Sequence, residues 1–258
     1  MTDPRPTPGN TPRITEASKR EALRTLNRGG GPFGLVWQWL QTFGVAVLLF
    51  FFVRAFFVEA FKIPSGSMER TLLPGDFLLV DKLAYGVEVP FTDWRLRGWR
   101  TPQRGDVIVF QYPLDPTDNY VNRLVGMPGD TLAMREGTLV RNGVPLAERY
   151  VRHEDPGMDP VDMQFGWQRP YLVRTAEARF ADHPSRNNWG PLVVPARQYF
   201  VLGDNRDNSN DSRYWGFVPM ENVKGRPFVI YYSYAPDSAR SFSWLSGIRW
   251  SRLGDRIR

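Results

Sequence analysis

The chain has 258 residues, no cysteine and two histidines, and its 33 lysines and arginines against 27 aspartates and glutamates give a formal net charge of +6. That length suits one large domain or one domain with an inserted subdomain, and the missing cysteines exclude a disulfide framework and a thiolate metal site. The basic balance, with a pI near 9.7, admits nucleic acid or anionic lipid as a partner without choosing between them.

Residues 1–32 mix proline, threonine, glycine and charge without apolar periodicity, which predicts a flexible cytoplasmic tail. From residue 33 to 53 the run FGLVWQWLQTFGVAVLLFFFV has no charged member and matches the roughly 20 residues a bilayer-spanning helix needs. The competing reading is a buried core helix. Against it, Gln38 and Gln41 are the only strongly polar members, and aromatics continue through Phe56, Phe57 and Phe61, as at a membrane interface. A cleaved signal peptide has a shorter apolar core with a small-residue site after it, whereas VRAFFVEAFK follows here, so residues 33–57 are assigned to a retained transmembrane helix and its interface. Lys19, Arg20, Arg24 and Arg28 precede the span. The positive-inside rule then places the N-terminus in the cytoplasm and the rest of the chain outside the cytoplasmic (inner) membrane, crossed once. Arg54 and Glu59 read as interface anchors, their charged ends snorkelling to the headgroups.

Beyond the span come short runs rich in β-branched and aromatic residues, DFLLVDKL, DVIVFQY, NYVNRLV, DTLAMREGTLV, QYFVLGD and PFVIYYSY, bounded by Gly, Pro and Asp, as strands are. Three of them open on similar turns, LPGD at 73, RGD at 104 and MPGD at 127; where Pro precedes Gly a type II turn is suited. Their spacing is irregular, which excludes a solenoid. The fold class is mainly β, an all-β domain over residues 58–134 and 190–258. The charged, proline-containing stretch at 135–189 reads as an inserted subdomain.

The segment FKIPSGSMERTL sits between the apolar run and the first strand-like run. Pro64 fixes its own φ and Gly66 accepts angles closed to other residues, so IPSGSM is built for a tight bend that presents Ser65 or Ser67. Taken alone, such a bend uses Ser and Gly for their backbone habits and nothing more. GDNRDNSNDSRYWG, taken alone, is an Asx-rich loop that lacks the Gly and Glu of an EF-hand loop.

Taken together, FKIPSGSMERTLLPGDFLLVDKLAYG, RGDVIVFQYP, YVNRLVGMPGD and GDNRDNSNDSRYWGFVP resemble, in order and rough spacing, the successive motif blocks of bacterial type I signal peptidases (leader peptidases). The resemblance runs from about residue 34 to 233. It implies a membrane-bound serine endopeptidase with a mainly β catalytic fold, which removes signal peptides from exported preproteins with a Ser/Lys dyad and uses no metal or organic cofactor. It assigns Ser67 to nucleophilic attack, and the Ser67 N–H with the Ser65 hydroxyl to the oxyanion hole. Donors fixed where negative charge develops lower such a barrier by a few kcal/mol each. Ser209 corresponds to the hydroxyl that orients the basic side chain, and Asp211 and Arg213 to a supporting ion pair; two residues apart on a strand, they would share a face. Ile63, Pro64, Met68, Tyr120 and Val121 match the walls of the substrate pockets, although each also suits ordinary core. An extended substrate presents alternate side chains to one side, and two shallow pockets then select Ala-x-Ala.

One position departs from the family pattern. The family's catalytic lysine precedes the arginine of the third block, and here that place is Asn122, before Arg123. A neutral lysine amine accepts the serine proton, whereas a carboxamide has no useful basicity near neutral pH. Arg123 stays protonated, and strand alternation sends it to the opposite face, leaving Asn122 with Tyr120. Lys62 is five residues from Ser67, about 16 Å if extended, a span that a bend at 64–66 shortens. Lys82 ends a strand-like run and is expected to be exposed, Lys19 is cytoplasmic, and Lys224 has no site motif beside it. His153 and His183 fall in the 135–189 stretch, where solvated surface histidines are expected. Three readings stay open: an active peptidase with an unusual base, an inactive homologue that binds signal peptides or exported chains, and an active-type enzyme changed at one codon. Nucleic-acid binding is suggested only by the basic pI and the terminal IRWSRLGDRIR. Export of that end makes membrane lipid the expected partner instead, with Trp244 and Trp250 as candidate members of an aromatic rim.

Overall fold

The computed structural model describes residues 32–88, 92, 94–155, 159, 163–173, 183–236 and 242–258. The tail expected at 1–32, with Lys19, lies outside them except for Pro32, and so do parts of the 135–189 stretch.

Helix α1 spans Pro32–Phe56. Proline suits its first position, since its φ is already helical and its missing N–H would have had no helical partner there. Gly34–Phe56 is long and apolar enough to cross a membrane, and its apolar window is not buried in protein. The chain through Phe52 and the chain from Val53 are separate compact units.

The second unit is mainly β. Its larger sheet takes β1 (Val58–Lys62), β2 (Asp76–Asp81), β5 (Val107–Gln111), β6 (Asn119–Gly126), β11 (Gln198–Leu202), β12 (Val218–Pro219) and β13 (Val223–Ser233), in the order β1-β2-β13-β5-β6-β11-β12. The short pair β3 (Gly86–Glu88) and β4 (Arg95–Arg97) forms a ribbon between β2 and β5 in sequence. A second sheet holds β7 (Thr131–Arg135), β8 (Thr138–Arg141), β9 (Val144–Pro145) and β10 (Trp189–Val193), in the order β10-β7-β8-β9. Fully buried Trp189, Leu132 and Leu192 of that sheet share one core with Phe200 and Leu202 of β11. The 135–189 stretch thus supplies β8 and β9 and then a 3₁₀ helix over Met163–Tyr171.

Strand β13 joins two parts of the larger sheet. Val223 and Gly225 pair with β5, and the segment from Arg226 to Ser233 pairs with β2. Pro227 has no N–H to give a ladder, and the register slips between Pro227 and Val229, the kind of bulge at which proline is tolerated and a strand bends.

The three Gly-Asp turns share one construction. Gly75, Gly105 and Gly129 have φ of +88°, +90° and +83°, the left-handed region that a type II turn demands at its third residue. In each, the aspartate N–H donates to the carbonyl three residues back, at 2.9–3.0 Å. Its carboxylate accepts that residue's N–H in return: Leu73 to Asp76 at 2.8 Å, Gln103 to Asp106 at 2.9 Å and Met127 to Asp130 at 2.8 Å. An arginine then neutralises each carboxylate, Arg252 on Asp76 at 2.5 Å, Arg100 on Asp106 and Arg104 on Asp130 at 2.8 Å. The three strands these turns open, β2, β5 and β7, therefore start from fixed points.

Candidate active site

The serine turn hangs between two buried plugs. At the end of β1 the Ile63 N–H donates to the Asp76 carbonyl (2.8 Å) and the Gly75 N–H to the Ile63 carbonyl (2.9 Å). Ile63, Met68 and Leu72 sink into a core with Leu78, Val107 and Ile230. Between them Ser65 is exposed and Ser67 half-buried. Hydrogen bonds from Glu69 N–H to the Gly66 carbonyl (3.0 Å) and from Leu72 N–H to the Met68 carbonyl (2.8 Å) close the bend.

A second loop, residues 203–211, grips this turn from the side. The Asn205 N–H donates to the Ser67 carbonyl at 3.0 Å, and its side-chain amide to the Gly66 carbonyl at 3.3 Å. The loop is itself anchored twice. Asp204, fully buried, takes a bidentate contact from Arg123, Nε at 2.8 Å and Nη2 at 2.7 Å, and a hydrogen bond from Thr71 at 2.5 Å. The Gly203 N–H donates to Asp211 at 3.0 Å. Gly203 is required here by close approach: a Cβ would lie 2.2 Å from Ser209 Oγ and 2.6 Å from the Ser67 carbonyl oxygen.

Ser67 Oγ faces Ser65 Oγ at 3.4 Å, its sole hydrogen-bond partner among the described residues, so no described nitrogen is within reach to take its proton. Asn122, 2% exposed on β6, has its Oδ1 buried without a partner, and Ser209 Oγ, in a residue 9% exposed, is in the same condition. The Lys62 ammonium lies over the rings of Phe77 (5.9 Å) and Tyr234 (5.7 Å). Lys82 is half-buried, not exposed as expected, because it pairs with Glu59 across the β1–β2 ladder at 3.6 Å. His153 Nδ1 contacts Asp207 at 3.2 Å; His183 is exposed.

Around the turn opens a cleft of about 390 Å³, lined by Phe61 to Met68 on one side, Asn119 to Asn122 on another, and Asn208 and Asn210. Tyr120 extends this wall outward by stacking on Tyr112, ring centroids 4.5 Å apart and planes 3° from parallel, and Trp215 meets Tyr112 edge-on at 5.6 Å. An apolar, open trough beside a serine hydroxyl suits an extended peptide.

Residues 36–232 match the family model described as signal peptidase, peptidase S26. The chain belongs to the signal peptidase S26 family. Signal peptidase I of Pseudomonas aeruginosa is 41% identical over 80% of this chain and 76% of its own, that of Pseudomonas fluorescens 38% identical over 78% and 74%, and that of Aquifex aeolicus 33% identical over 81% and 91%.

Within this signal peptidase fold, Ser65, Ser67, Asn122, Ile63, Pro64, Met68, Tyr120 and Val121 all line the one cleft. Ile63 and Met68 also serve as core, at 4% and 1% exposure. Asp211 and Arg213 pair at 2.8 Å twice over, Nε to Oδ1 and Nη2 to Oδ2, but not by facing along a strand. Asp211 is the N-cap of a short helix, α2 (Ser212–Trp215), and its carboxylate also accepts the Arg213 N–H. Burial disfavours the Arg213 charge, yet the adjoining carboxylate outweighs this and holds the guanidinium above its ordinary pKa. Sequence reasoning missed Asn205, the residue that touches the serine turn most directly, and Asp204 as the partner of Arg123. Both stand in GDNRDN, whose Asx-rich look hides which side chains face inward.

Proposed function

We propose that this protein is a membrane-anchored serine endopeptidase of the signal peptidase I type, which removes signal peptides from exported preproteins after Ala-x-Ala-like sites. Ser67 Oγ attacks the scissile carbonyl, and the Ser67 N–H and Ser65 hydroxyl donate to the oxyanion. The signal peptide lies extended in the cleft against Ile63, Pro64, Met68, Tyr120 and Val121, with alternate side chains facing the wall. Asn122 stands in the general-base position and Ser209 orients whatever base acts there, with Asp211 and Arg213 holding the 203–211 loop. The N-terminus lies in the cytoplasm and the catalytic domain outside, against membrane lipids, where exposed Trp244 and Trp250 suit an interfacial rim.

The observation that carries this reading is the convergence of Ser67, Ser65 and the apolar wall on one cleft in a chain of this family. A second reading, an inactive homologue that binds signal peptides or exported chains, is favoured by one observation: among the described residues, no nitrogen base reaches Ser67. Cleavage of an Ala-x-Ala preprotein in detergent separates the two, comparing the native chain, Asn122→Lys and Ser67→Ala. The peptidase reading expects the native chain to cleave and Ser67→Ala to be inert; a native chain as inert as Ser67→Ala beside an Asn122→Lys chain that cleaves supports the inactive homologue. If Asn122→Lys is as inert as Ser67→Ala, the assignment of Ser67 is wrong.

A further inference from the structure

Arg70, three residues beyond Ser67, carries backbone strain. Its φ is +92°, in the left-handed range that residues other than glycine rarely adopt. Such strain persists where the surroundings hold it, and it gathers at functional sites. What holds it here belongs to the 135–189 stretch. Arg70 Nη1 donates to the Val151 carbonyl at 2.8 Å, and the neighbouring Glu69 carboxylate pairs with Arg152.

Arg152 also reaches the serine turn by a second route. It lies beside Asn205 in a parallel bridge: its N–H donates to the Asp204 carbonyl (2.8 Å), and the Arg206 N–H donates to its own carbonyl (2.9 Å). Asn205, between those two contacts, is the residue that holds the Ser67 and Gly66 carbonyls. The segment is fastened on either side of Arg152. Glu148 pairs with Arg206 at 2.9 Å, their side chains 7% and 1% exposed, the Tyr150 ring lies 3.9 Å from the Arg123 guanidinium, and the Asp155 N–H donates to the Asp207 carboxylate at 2.8 Å.

From this we infer that residues 148–155 are a strap that holds the serine turn in its strained geometry, with Arg70 and Arg152 as positioning residues for Ser67. The inference rests on the reading of Ser67 proposed above. Asn205 fixes the turn at Gly66 and Ser67, and the two arginine contacts fix it at residues 69 and 70, so the strap governs both halves of the bend. An attacking oxygen displaced by about 1 Å loses much of its rate. Both arginine contacts face solvent and each alone is modest; together they keep the bend from relaxing.

Two measurements on the full chain in detergent test this. Hydrogen exchange of the native chain, read by mass spectrometry, needs no turnover. Arg70→Ala with Arg152→Ala should speed exchange in 61–75 and 203–211 by at least about threefold, the worth of an ordinary hydrogen bond, and leave 131–141 unchanged. Cleavage of an Ala-x-Ala preprotein in an Asn122→Lys background separates kcat from KM. The double variant should lower kcat roughly tenfold with KM within about twofold, because no residue of the cleft wall has changed, and Arg70→Lys, which keeps a charged donor, should retain most of the rate. Arg70→Gly divides positioning from stability: glycine takes this φ without strain, so the thermal midpoint should hold or rise while kcat falls.

Exchange and kcat at the parent values in the double variant would refute the strap and leave the peptidase reading standing. Faster exchange that spreads equally to 131–141 would also overturn it, since the whole domain would then have loosened. An Asn122→Lys chain that does not cleave removes the peptidase reading, and exchange in 61–75 then decides the strap by itself.

Discussion

Asp204→Asn tests whether the Arg123 clamp holds the serine turn. The substitution leaves the guanidinium of Arg123, 3% exposed, without the carboxylate that receives it at 2.8 and 2.7 Å. Arginine does not escape by deprotonation, and the Gly105 carbonyl (2.7 Å) supplies an acceptor but no countercharge. Breaking a buried pair from one side costs about 3–5 kcal/mol, a large part of a typical stability of about 5–15 kcal/mol. In a unit of this size that lowers the unfolding midpoint by roughly 10 °C. Tryptophan fluorescence of the full chain in detergent, followed through thermal and urea unfolding, reads it directly. Replacing both partners, Arg123→Met with Asp204→Leu, should recover most of the loss, because no buried charge is then unpaired. In an Asn122→Lys background, Asp204→Asn should also slow cleavage by roughly a hundredfold, since Asn205, the next residue, holds the Ser67 and Gly66 carbonyls and small misplacements at a reacting centre are costly. An Asp204→Asn chain within about 1 kcal/mol of its parent would refute the clamp.

Two further outcomes are expected. Gly203→Ala should abolish cleavage in the Asn122→Lys background, because its Cβ would meet Ser209 Oγ at 2.2 Å and the Ser67 carbonyl at 2.6 Å; Gly105→Ala, where that space is open, should lose only about 1–2 kcal/mol of stability to its left-handed φ and keep cleaving. Burial of Asp130 opposes its charge, but the hydrogen bonds from Arg104, Met127 N–H and Asn142 outweigh this and hold its pKa below the ordinary carboxylate value. Its stabilising contribution is therefore full above about pH 4 and lost as pH falls through the lowered value, so the stability gap between the native chain and Asp130→Asn should close on acidification. A gap independent of pH between 2 and 5, on the order of those limits, would count against the ion pair.

What could be read in the sequence was local. The apolar run, the strand-opening Gly-Asp turns and the serine bend each follow from residues within a few positions of one another, where backbone preference and hydrogen-bond reach are fixed by chain geometry. Strand alternation also separated Asn122 from Arg123 correctly, because a period of two needs no tertiary information. The residues that escaped are non-local. Asp204 meets Arg123 across 81 positions and Asn205 meets Gly66 across 139, and nothing in an Asx-rich loop ranks its members before the sheet brings β6 and the serine turn together. Tyr112 was missed for the same reason: it reaches the cleft wall only through the β5–β6 pairing that stacks it on Tyr120. The misplacement of Asp211 and Arg213 on a strand has a different origin. Aspartate followed by serine and arginine is also a helix start, and capping by the Asp211 carboxylate decided the local structure.

Consecutive residues of β6 divide two tasks. Position 123 clamps the 203–205 loop from one face, while position 122 lines the cleft from the other, so a change at 122 should leave the scaffold of the serine turn untouched. A lysine introduced there should find its surroundings ready, with Ser209 Oγ free to orient it, and should be buried as Asn122 is. Burial disfavours an ammonium and lowers its pKa below the unfolded value of about 10.4. Between the lowered folded value and 10.4, the unfolded chain binds a proton that the folded chain does not. The stability of Asn122→Lys relative to the native chain should therefore rise with pH across that window, by about 1.4 kcal/mol for each unit of depression. Urea unfolding of both chains from pH 7 to 10 measures it. A difference that stays flat with pH would mean that the new side chain escapes to solvent, and that β6 does not hold position 122 toward Ser67.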